Sequence, residues 1–355
     1  MTPDRGIRRR HTVRELYMIR PNELERIRTT IYRETVPQVR MSNVVTVGSV
    51  NVDRTTYRSR AEIRTLESTY EWFPAPGETV RTERVPAAIA DEEFRDGIGG
   101  KGSNQAVAAA CGGAESTFLG TVGEDERTYD VLSTLADRGV TVDSVAAAER
   151  ETGKAYIFVD GDGESWIAIL GGANEAVDAR YVDRHYDRIR NADVCLLQNE
   201  IPVPTMRSLL ERLTGETEGP TVVLNPVPTD GVEPLLAEPA VDIVVVNEAE
   251  YDALEGHIER FDGTVVRTRG ADDVIVSGES EYRVTPPSVD PVDTTGAGDV
   301  FCGYLGAQLA VGRSIDAAAD LATAAASLST ETEGAQESIP TLEQVTALEP
   351  TAPRQ

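Results

Sequence analysis

The stretch DTTGAGD, residues 293–299, has the residue types of a turn that holds an anion beside a base. Small residues at Gly296, Ala297 and Gly298 let backbone N–H groups approach a ligand closely. The apolar run after Asp299 predicts a helix, and the positive dipole end of that helix favours phosphoryl oxygens. Asp299 is placed to take the proton of a hydroxyl that attacks a γ-phosphate in line. The simpler alternative is an aspartate that only caps the helix.

A second glycine-rich stretch, GIGGKGSNQAVAAACGG at residues 97–113, places polar donors before an alanine-rich helix. Its GxGxxG spacing does not follow a buried strand, so the context excludes a Rossmann dinucleotide site, and the glycine after Lys101 excludes a P-loop. Gly100, Lys101 and Asn104 are instead predicted to contact a polyhydroxylated ligand. The simpler alternative is a flexible hinge that binds nothing.

Lysine is almost absent from this acidic chain. Its 355 residues include 34 Lys and Arg against 60 Asp and Glu, for a formal net charge of −26. The two lysines are Lys101 and Lys154, which marks both as candidates for specific roles. The composition resembles that of salt-in halophilic archaeal proteins, whose carboxylates maintain solubility while salt screens their repulsion. The negative charge disfavours nucleic-acid binding.

Features of export and membrane insertion are lacking in the sequence. No run approaches the roughly 18 apolar residues of a membrane span, and no apolar segment follows the arginines near the N-terminus. We therefore expect a cytoplasmic protein without membrane contact. Cys111, Cys195 and Cys302 are isolated in the sequence, which predicts buried reduced thiols rather than a disulfide framework or a zinc site.

The chain divides into a short basic segment and one large domain. Arginines outnumber acidic residues in residues 1–40, and we predict a disordered N-terminal extension or a mis-assigned start there. Residues 41–350 are predicted to form the domain that carries the chemistry. A basic docking arm is the alternative reading of the first segment.

Short β-branched runs alternate with helical patterns from Val44 onward, which predicts an α/β fold with a doubly wound, mainly parallel sheet flanked by helices. The predicted strands are 44–50, 194–198, 221–225, 241–247 and 264–268, and the predicted helices are 103–112, 127–138, 205–213, 299–311 and 315–329. Polar residues recur where the strands end, at Asn51, Asp53, Gln198, Glu200, Asn225, Asn247 and Thr268. We expect them to converge on one crevice. Residues 54–96 and 154–170 are predicted to form a small antiparallel β lid over it.

GGKGSNQAVAAA and DTTGAGD resemble the two signatures of the PfkB carbohydrate-kinase family. Further ribokinase-like pieces occur along the chain in the order found in that family: GSVNVD, PGETV, LNPVP, VNEAE and GAQESIP. The resemblance therefore runs from about Val44 to Leu348. It implies a ribokinase-like fold whose β lid often takes part in homodimerisation. It also implies Mg²⁺·ATP as phosphoryl donor, activation by K⁺, and a sugar or sugar phosphate as acceptor.

The resemblance also assigns roles to individual positions. Asp299 would be the catalytic base. The sugar would be bound by Asn51, Asp53, Gly100, Lys101, Asn104 and Glu200. The nucleotide would lie along Asn247, Glu250, Thr268 and Gly270, with Gly296, Ala297 and Gly298 as the anion hole. The monovalent cation would lie near Asp293, Thr295, Ser329, Gly334 and Ser338.

The lid departs from the ribokinase pattern by its length and its cations, which are Arg54, Arg58, Arg60, Arg64 and Lys154. Lys154 is included among the substrate-binding candidates because a cation beside the sugar site could neutralise a phosphate on the substrate. Solvated surface charge is the alternative for each arginine.

Two acceptors therefore stay open. The first is the primary hydroxyl of a pentose, with ribose giving ribose 5-phosphate, and the second is ribose 1-phosphate, giving ribose 1,5-bisphosphate. A nucleoside is less favoured, because the lid offers few aromatic residues for stacking a base beyond Tyr57, Tyr70, Trp72 and Phe73. A non-catalytic sugar sensor is disfavoured by the intact Asp299 and TGAG turn.

Overall fold

Buried β-branched runs form the strands of this chain, and alanine-rich or amphipathic segments form its helices. The computed structural model describes residues 42–76, 79–162 and 164–348. These residues belong to one unit, Ser42–Gln355. The predicted basic extension, residues 1–40, lies outside the described residues.

Within these ranges the strands, in chain order, are β1 (Asn43–Val47), β2 (Asn51–Tyr57), β3 (Thr79–Arg81), β4 (Arg95–Gly99), β5 (Glu115–Leu119), β6 (Thr121–Val122), β7 (Val140–Thr141), β8 (Ala146–Ala147), β9 (Gly153–Val159), β10 (Ser165–Leu170), β11 (Val194–Gln198), β12 (Thr221–Asn225), β13 (Ile243–Asn247), β14 (Thr264–Arg269), β15 (Asp272–Ser277) and β16 (Glu281–Val284).

The helices are α1 (Arg60–Thr69), α2 (Ala87–Ala90), α3 (Lys101–Cys111), α4 (Glu126–Tyr129), α5 (Val131–Asp137), α6 (Ala179–Arg190), α7 (Val203–Leu213), α8 (Glu233–Leu236), α9 (Glu248–Ile258), α10 (Ala297–Ala310), α11 (Ile315–Ser329) and α12 (Leu342–Thr346). A 3₁₀ helix spans Gly172–Ala176. No helix in the described part of the chain is long and apolar enough to cross a bilayer.

The main sheet has the order β16-β15-β14-β13-β12-β11-β1-β5-β7 in the described residues. Pairing is parallel from β7 through β14 and antiparallel only for β14–β15 and β15–β16. The predicted doubly wound, mainly parallel sheet is therefore confirmed. The chain proceeds in opposite directions from β1 and β11, and such a reversal predicts a crevice along the carboxyl edge of the sheet.

Helices cover both faces of this sheet. One core contains Val44 and Leu196 and is closed by α3, α10 and α11. The other contains Val45 and Leu197 and is closed by α6, α7, α8 and α9. Successive strand residues thus point into different cores, which is why these strands are apolar throughout.

The lid is a second sheet, with the order β3-β10-β9-β2-β4. The pairs β2–β9 and β3–β10 are parallel, so the expectation of an antiparallel lid is corrected to a mixed sheet. The region 54–96 also contains α1 and α2 in addition to its strands. Ile63 of α1 packs with Tyr156, Phe158 and Trp166 in a separate core on the outer face of the lid. That apolar face is therefore covered by the chain itself.

One predicted helix is also corrected. The pattern at 127–138 predicts a continuous helix, but Asp130, with φ of 50°, separates α4 from α5. Left-handed backbone interrupts a right-handed helix, and aspartate adopts it more readily than most residues.

Candidate active site

The crevice lies where the first turns of α3 and α10 meet the carboxyl ends of β12, β13 and β14. A pocket of about 180 Å³ opens there, lined by Lys101, Asn225, Val245, Val246, Asn247, Glu250, Thr268, Gly296, Gly298 and Asp299. Gly303 makes this arrangement possible, because a Cβ at that position would stand 2.4 Å from the Cβ of Ala108 in α3. The two helices thus bring both glycine-rich motifs to one place.

Asp299 is buried in the first turn of α10, with 5% of its surface exposed. The helix is capped by Gly296 at φ of 77°, without a side-chain capping bond. The Asp299 carboxylate instead accepts hydrogen bonds from Asn104 Nδ2 at 3.1 Å and Gln105 Nε2 at 3.0 Å. The capping alternative is therefore wrong, and two amides of α3 fix the orientation of a carboxylate that also lines the pocket.

Lys101 begins α3 between three carboxylates. Burial alone would lower its pKa, but the carboxylates of Asp299, Glu200 and Glu250 raise the pKa above the ordinary value for lysine. Its backbone N–H donates to Glu200 Oε2 at 3.0 Å. Gly100 precedes it at φ of 92°, and a Cβ there would lie 2.7 Å from the nitrogen of Asn51. The lysine is thus a permanently charged cation on a rigid turn.

The predicted sugar residues lie at the lid end of the crevice. Glu200 accepts a hydrogen bond from the hydroxyl of Ser49. The Asn51 Oδ1 atom accepts one from Asn174 Nδ2 at 2.8 Å. Burial first, and then the carboxylates of Glu200 and Asp299, raise the pKa of Asp53 to about 8, against the opposing charge of Lys101. Asn51, Asp53, Glu200 and Lys101 are thus brought to one region.

Sequence reasoning missed three buried amides that hold this region together. Gln105 orients Asp299 and accepts a 2.6 Å hydrogen bond from Gln198 Nε2. Gln336 Nε2 donates to Asn104 Oδ1 at 3.0 Å. Asn174 holds the backbone N–H and C=O of Val50 as well as Asn51. Gln105 and Gln336 lie inside quoted motifs and could have been found there, whereas Asn174 carries no local signal.

The predicted nucleotide residues lie mostly along the pocket. Asn247 and Glu250 form a capping box at the start of α9. Burial raises the pKa of Glu250, against the backbone N–H of Asn247 and the charge of Lys101. Thr268 ends the neighbouring strand and lines the same pocket. Gly270, at φ of 61° in the β14–β15 turn, is not among the lining residues within the described chain.

The predicted cation loop joins two distant segments. The Asp293 carboxylate accepts hydrogen bonds from the N–H of Thr295 at 2.9 Å and of Gly334 at 3.0 Å. These bonds lower its pKa even though burial opposes them. The Ser338 hydroxyl is buried without a partner in the described residues. The Ser329 hydroxyl donates to the carbonyl of Ala326 within its own helix.

Lys154 is not brought to this site. It pairs with Val52 in the lid register, whereas Asn51 and Asp53 pair with Gly153 and Ala155, so its side chain leaves the opposite face of the sheet. Lys154 Nζ lies 2.9 Å from Glu151 Oε2 and 3.6 Å from Asp125 Oδ2. The expectation that Lys154 contacts substrate is corrected: at the base of the lid, its largely buried ammonium pairs with the exposed Glu151 and the partly buried Asp125.

Three of the lid arginines also form ion pairs with carboxylates away from the sugar end. Arg54 lies 3.1 Å from Asp96 and 4.6 Å from the ring of Phe94. Arg60 lies 2.6 Å from Asp160, and Arg58 pairs with Glu92. The exposed Arg64 has no ion pair within the described residues. These cations therefore stabilise the lid and are not directed at the sugar end.

A buried carboxylate oriented by amides, beside a helix-terminal glycine turn and a charged lysine, defines a small-molecule kinase of α/β architecture. The family model described as pfkB family carbohydrate kinase matches residues 77–342. The chain belongs to this family, and it is an ATP-dependent carbohydrate kinase.

Ribokinases are among its curated relatives and solved structural neighbours. The chain is 31% identical over 322 residues to a ribokinase of Staphylococcus aureus, covering 86% of this chain and 98% of that one. It is 36% identical over 324 residues to a bifunctional ribokinase/ribose-5-phosphate isomerase A of Fructilactobacillus sanfranciscensis, covering 86% of this chain and 56% of that protein. An Arabidopsis thaliana ribokinase, solved with ribose and ATP, superposes with a TM-score of 0.68 at 27% identity over 86% of this chain and 98% of that one.

Proposed function

We propose that this protein transfers the γ-phosphate of ATP to the primary hydroxyl of ribose, giving ribose 5-phosphate. The observation that carries the proposal is Asp299, a buried carboxylate held by Asn104 and Gln105 at the junction of the sugar end and the pocket. The relatives described as ribokinases support ribose as the acceptor.

The sugar is bound first by groups that match its hydroxyls. Asp53 and Glu200 accept hydrogen bonds from hydroxyl groups, and Asn51 and Lys101 donate them. Asn174 keeps Asn51 in place through its hydrogen bonds to residues 50 and 51. Because these groups lie on rigid elements, the sugar presents its primary hydroxyl to Asp299 with little loss of freedom at the moment of reaction.

Proton transfer and charge stabilisation then fall to residues at the two helix starts. Asp299 takes the hydroxyl proton while the oxygen attacks the γ-phosphorus, and the bond from that phosphorus to the β-phosphate oxygen breaks. The first N–H groups of a helix have no carbonyl partner within it, so Gly298 and Asp299 offer theirs to the developing charge. The Lys101 ammonium adds a positive charge on the opposite side of the pocket.

The implied cations fit the oxygen groups that are present. Mg²⁺ binds through substrate phosphates with one or two carboxylates, and Glu250 with Asn247 would stand beside it; its chemistry is neutralisation of phosphate charge. K⁺ would lie near Asp293, Thr295, Gly334 and Ser338, where the Ser338 hydroxyl is buried without a partner in the described chain. Its contribution would be to fix the glycine turn, because Asp293 already joins that turn to Gly334.

A second acceptor, ribose 1-phosphate, is favoured by Arg81. Across the lid sheet, Arg81 pairs with Ile169, Ile169 pairs with Ala155, and Ala155 pairs with Asp53. Because paired residues point to the same face of a sheet, Arg81 shares the inner face of the lid with Asp53. Its guanidinium donates to the carbonyl of Asn199, the neighbour of Glu200. A planar cation at this edge of the sugar site suits a phosphate far from the hydroxyl that reacts.

The remaining expectations are also proposals. We propose a homodimer through the inner face of the lid, where Tyr57 is 65% exposed, because the outer face is covered by α1. The net charge of −26 supports a halophilic protein that does not bind nucleic acid. A cytoplasmic location is proposed from the sequence features described above.

The decisive experiment measures kcat/KM at multimolar KCl for ribose, ribose 1-phosphate and a nucleoside panel. Highest turnover with ribose supports the first proposal, and highest turnover with ribose 1-phosphate replaces it by the second. Arg81→Gln then separates the roles of the lid. It should raise KM for ribose 1-phosphate selectively, whereas Arg84→Gln, an exposed arginine of the same segment, should change neither acceptor. Turnover with none of these acceptors would refute both proposals.

A further inference from the structure

A second pocket, separate from the crevice, lies where β6, β8 and the start of α6 meet. Its volume is about 520 Å³, and its walls carry the arginines Arg150, Arg180 and Arg184. Pockets that bind small molecules measure roughly 300–1,000 Å³. Polar side chains dominate the opening, with Glu149 and Asp178 as its acidic members. The pocket is therefore large enough for a small metabolite and unsuited to an apolar one.

Its charge is opposite to that of the chain as a whole. Three guanidinium groups face two carboxylates here, although the chain carries a net charge of −26. The Asp178 carboxylate is already engaged, because it caps α6 by accepting the Tyr181 N–H at 2.8 Å. The positive dipole end of this 12-residue helix also faces the pocket. An anion is the ligand that this field favours.

The arginines of α6 differ along the helix. Arg188 and Arg190 lie 2.5 Å from Asp143 and 2.9 Å from Asp187. Arg180 and Arg184, which line the pocket, have no carboxylate partner in the described part of the chain. Arg184 lies 5.7 Å from the ring of Tyr181, a cation–π contact with another residue that lines the pocket. Carboxylates thus neutralise the arginines at the far end of α6, whereas the two arginines of α6 that line the pocket keep their charge unpaired within the described residues.

The pocket wall is connected to the sugar end of the crevice. Arg150 Nη1 donates to the carbonyl of Gly172 at 3.3 Å, and the hydroxyl of Thr121 donates to the carbonyl of Ala173. Both acceptors belong to the 3₁₀ helix Gly172–Ala176, which also carries Asn174. Asn174 in turn holds Asn51 and both backbone groups of Val50. One short segment therefore serves both pockets.

We propose that this second pocket binds a small monophosphorylated metabolite and that its occupation weakens sugar binding. A phosphate draws the Arg150 guanidinium into a charge-assisted hydrogen bond that is stronger than its long bond to Gly172. Releasing Gly172 loosens the segment that positions Asn174, and Asn51 is then less well oriented for the sugar. By linkage, the sugar weakens the phosphate compound by the same factor. The coupling rests on the proposed function, whereas binding at the pocket does not.

Direct binding is tested with 3-phosphoglycerate as the probe, by calorimetry on the full chain at constant KCl. The native protein should bind it, and Arg180→Gln with Arg184→Gln should weaken binding by about tenfold or more, because both charge-assisted contacts to the phosphate are lost. The matched control is Arg188→Gln with Arg190→Gln, on the same helix outside the pocket, which should leave the affinity unchanged. Asp299→Asn should also retain binding, and this holds even if the proposed kinase function fails.

The coupling is tested by the KM for ribose with and without saturating 3-phosphoglycerate. We expect KM to rise several-fold with little change in kcat, and we expect the rise to disappear in the Arg180→Gln/Arg184→Gln variant. Absence of binding, or equal loss of binding in both double variants, overturns the site. An unchanged KM at saturation overturns the coupling, and a thermal unfolding scan of each variant verifies that the comparison is between folded proteins.

Discussion

Asp53 should make both stability and sugar binding depend on pH near neutrality. Its pKa is about 8 in the folded chain against an ordinary 3.8, chiefly because of burial and then because of Glu200 and Asp299. The native protein thus holds a proton on Asp53 that the unfolded chain releases. The stability that protonated Asp53 contributes to the folded state is complete below pH 3.8, and it is lost as the pH rises to about 8.

The magnitude follows from this one proton. Between the two pKa values, stability falls by about 1.4 kcal/mol per pH unit on account of Asp53 alone. Between about pH 5.5 and about pH 7.5, the native chain should therefore lose about 2.5 kcal/mol more than Asp53→Asn, which stays neutral throughout. Multimolar salt should leave most of this pKa shift in place, because burial is its largest cause and the buried carboxylates of Glu200 and Asp299 are screened less than surface charges.

The assay is the free energy of unfolding by urea at both pH values for the native chain, Asp53→Asn and Asp252→Asn. Asp252 is exposed on α9, and its replacement should leave the pH dependence unchanged. Sugar hydroxyls donate to an ionised carboxylate, so ribose binding at pH 7 should also release close to one proton, measured by calorimetry in buffers of different ionisation enthalpy. Parallel losses of stability in all three proteins, together with no proton release, would refute the reasoning.

Three further results are expected. Asp299→Asn should lower kcat by about 10²–10⁴-fold while leaving ribose affinity within a few-fold, because an amide cannot accept the hydroxyl proton; near-normal turnover would remove the mechanism. Gln105→Leu should lower kcat by about tenfold with KM little changed, since Asp299 loses one of its two orienting amides. Gln105→Asn keeps an amide and should recover part of that kcat; no recovery would contradict an orienting role for Gln105. Lys154→Met should lower the melting temperature or change it little, with equal KM for ribose and ribose 1-phosphate; a selective effect on ribose 1-phosphate would restore Lys154 to the substrate site.

The lid illustrates why some expectations failed. Alternating residues around 154–170 indicate strands correctly, as β9 and β10 bear out. Alternation alone does not reveal which face of a strand is inward, because a shift of one residue in register exchanges the faces. The pairing of Lys154 with Val52 rather than with Asp53 decides its direction. Arg54, Arg58 and Arg60 likewise look available in the sequence and are paired with carboxylates in the structure.

The site illustrates the opposite case. Asp299, Lys101 and Asn104 could be found from sequence because their roles depend on local backbone, namely a glycine turn followed at once by a helix start. The segments at 293–299 and 97–113 carry that information within a few residues each. Asn174 could not be placed in this way, since it lies in no such motif and acts on Asn51, a partner more than a hundred residues away.

The sequence by itself determined the alternation of strands and helices, the doubly wound sheet and the two glycine-rich turns, because each depends on residue periodicity or on backbone freedom over short distances. Only the tertiary structure decided which polar side chains meet. Packing of α10 against α3 brings two amides to Asp299. The lid sheet brings Asp53 near the carboxylates of Glu200 and Asp299, and its register turns Lys154 away. Such meetings depend on contacts between distant segments, and these form only when the whole core is assembled.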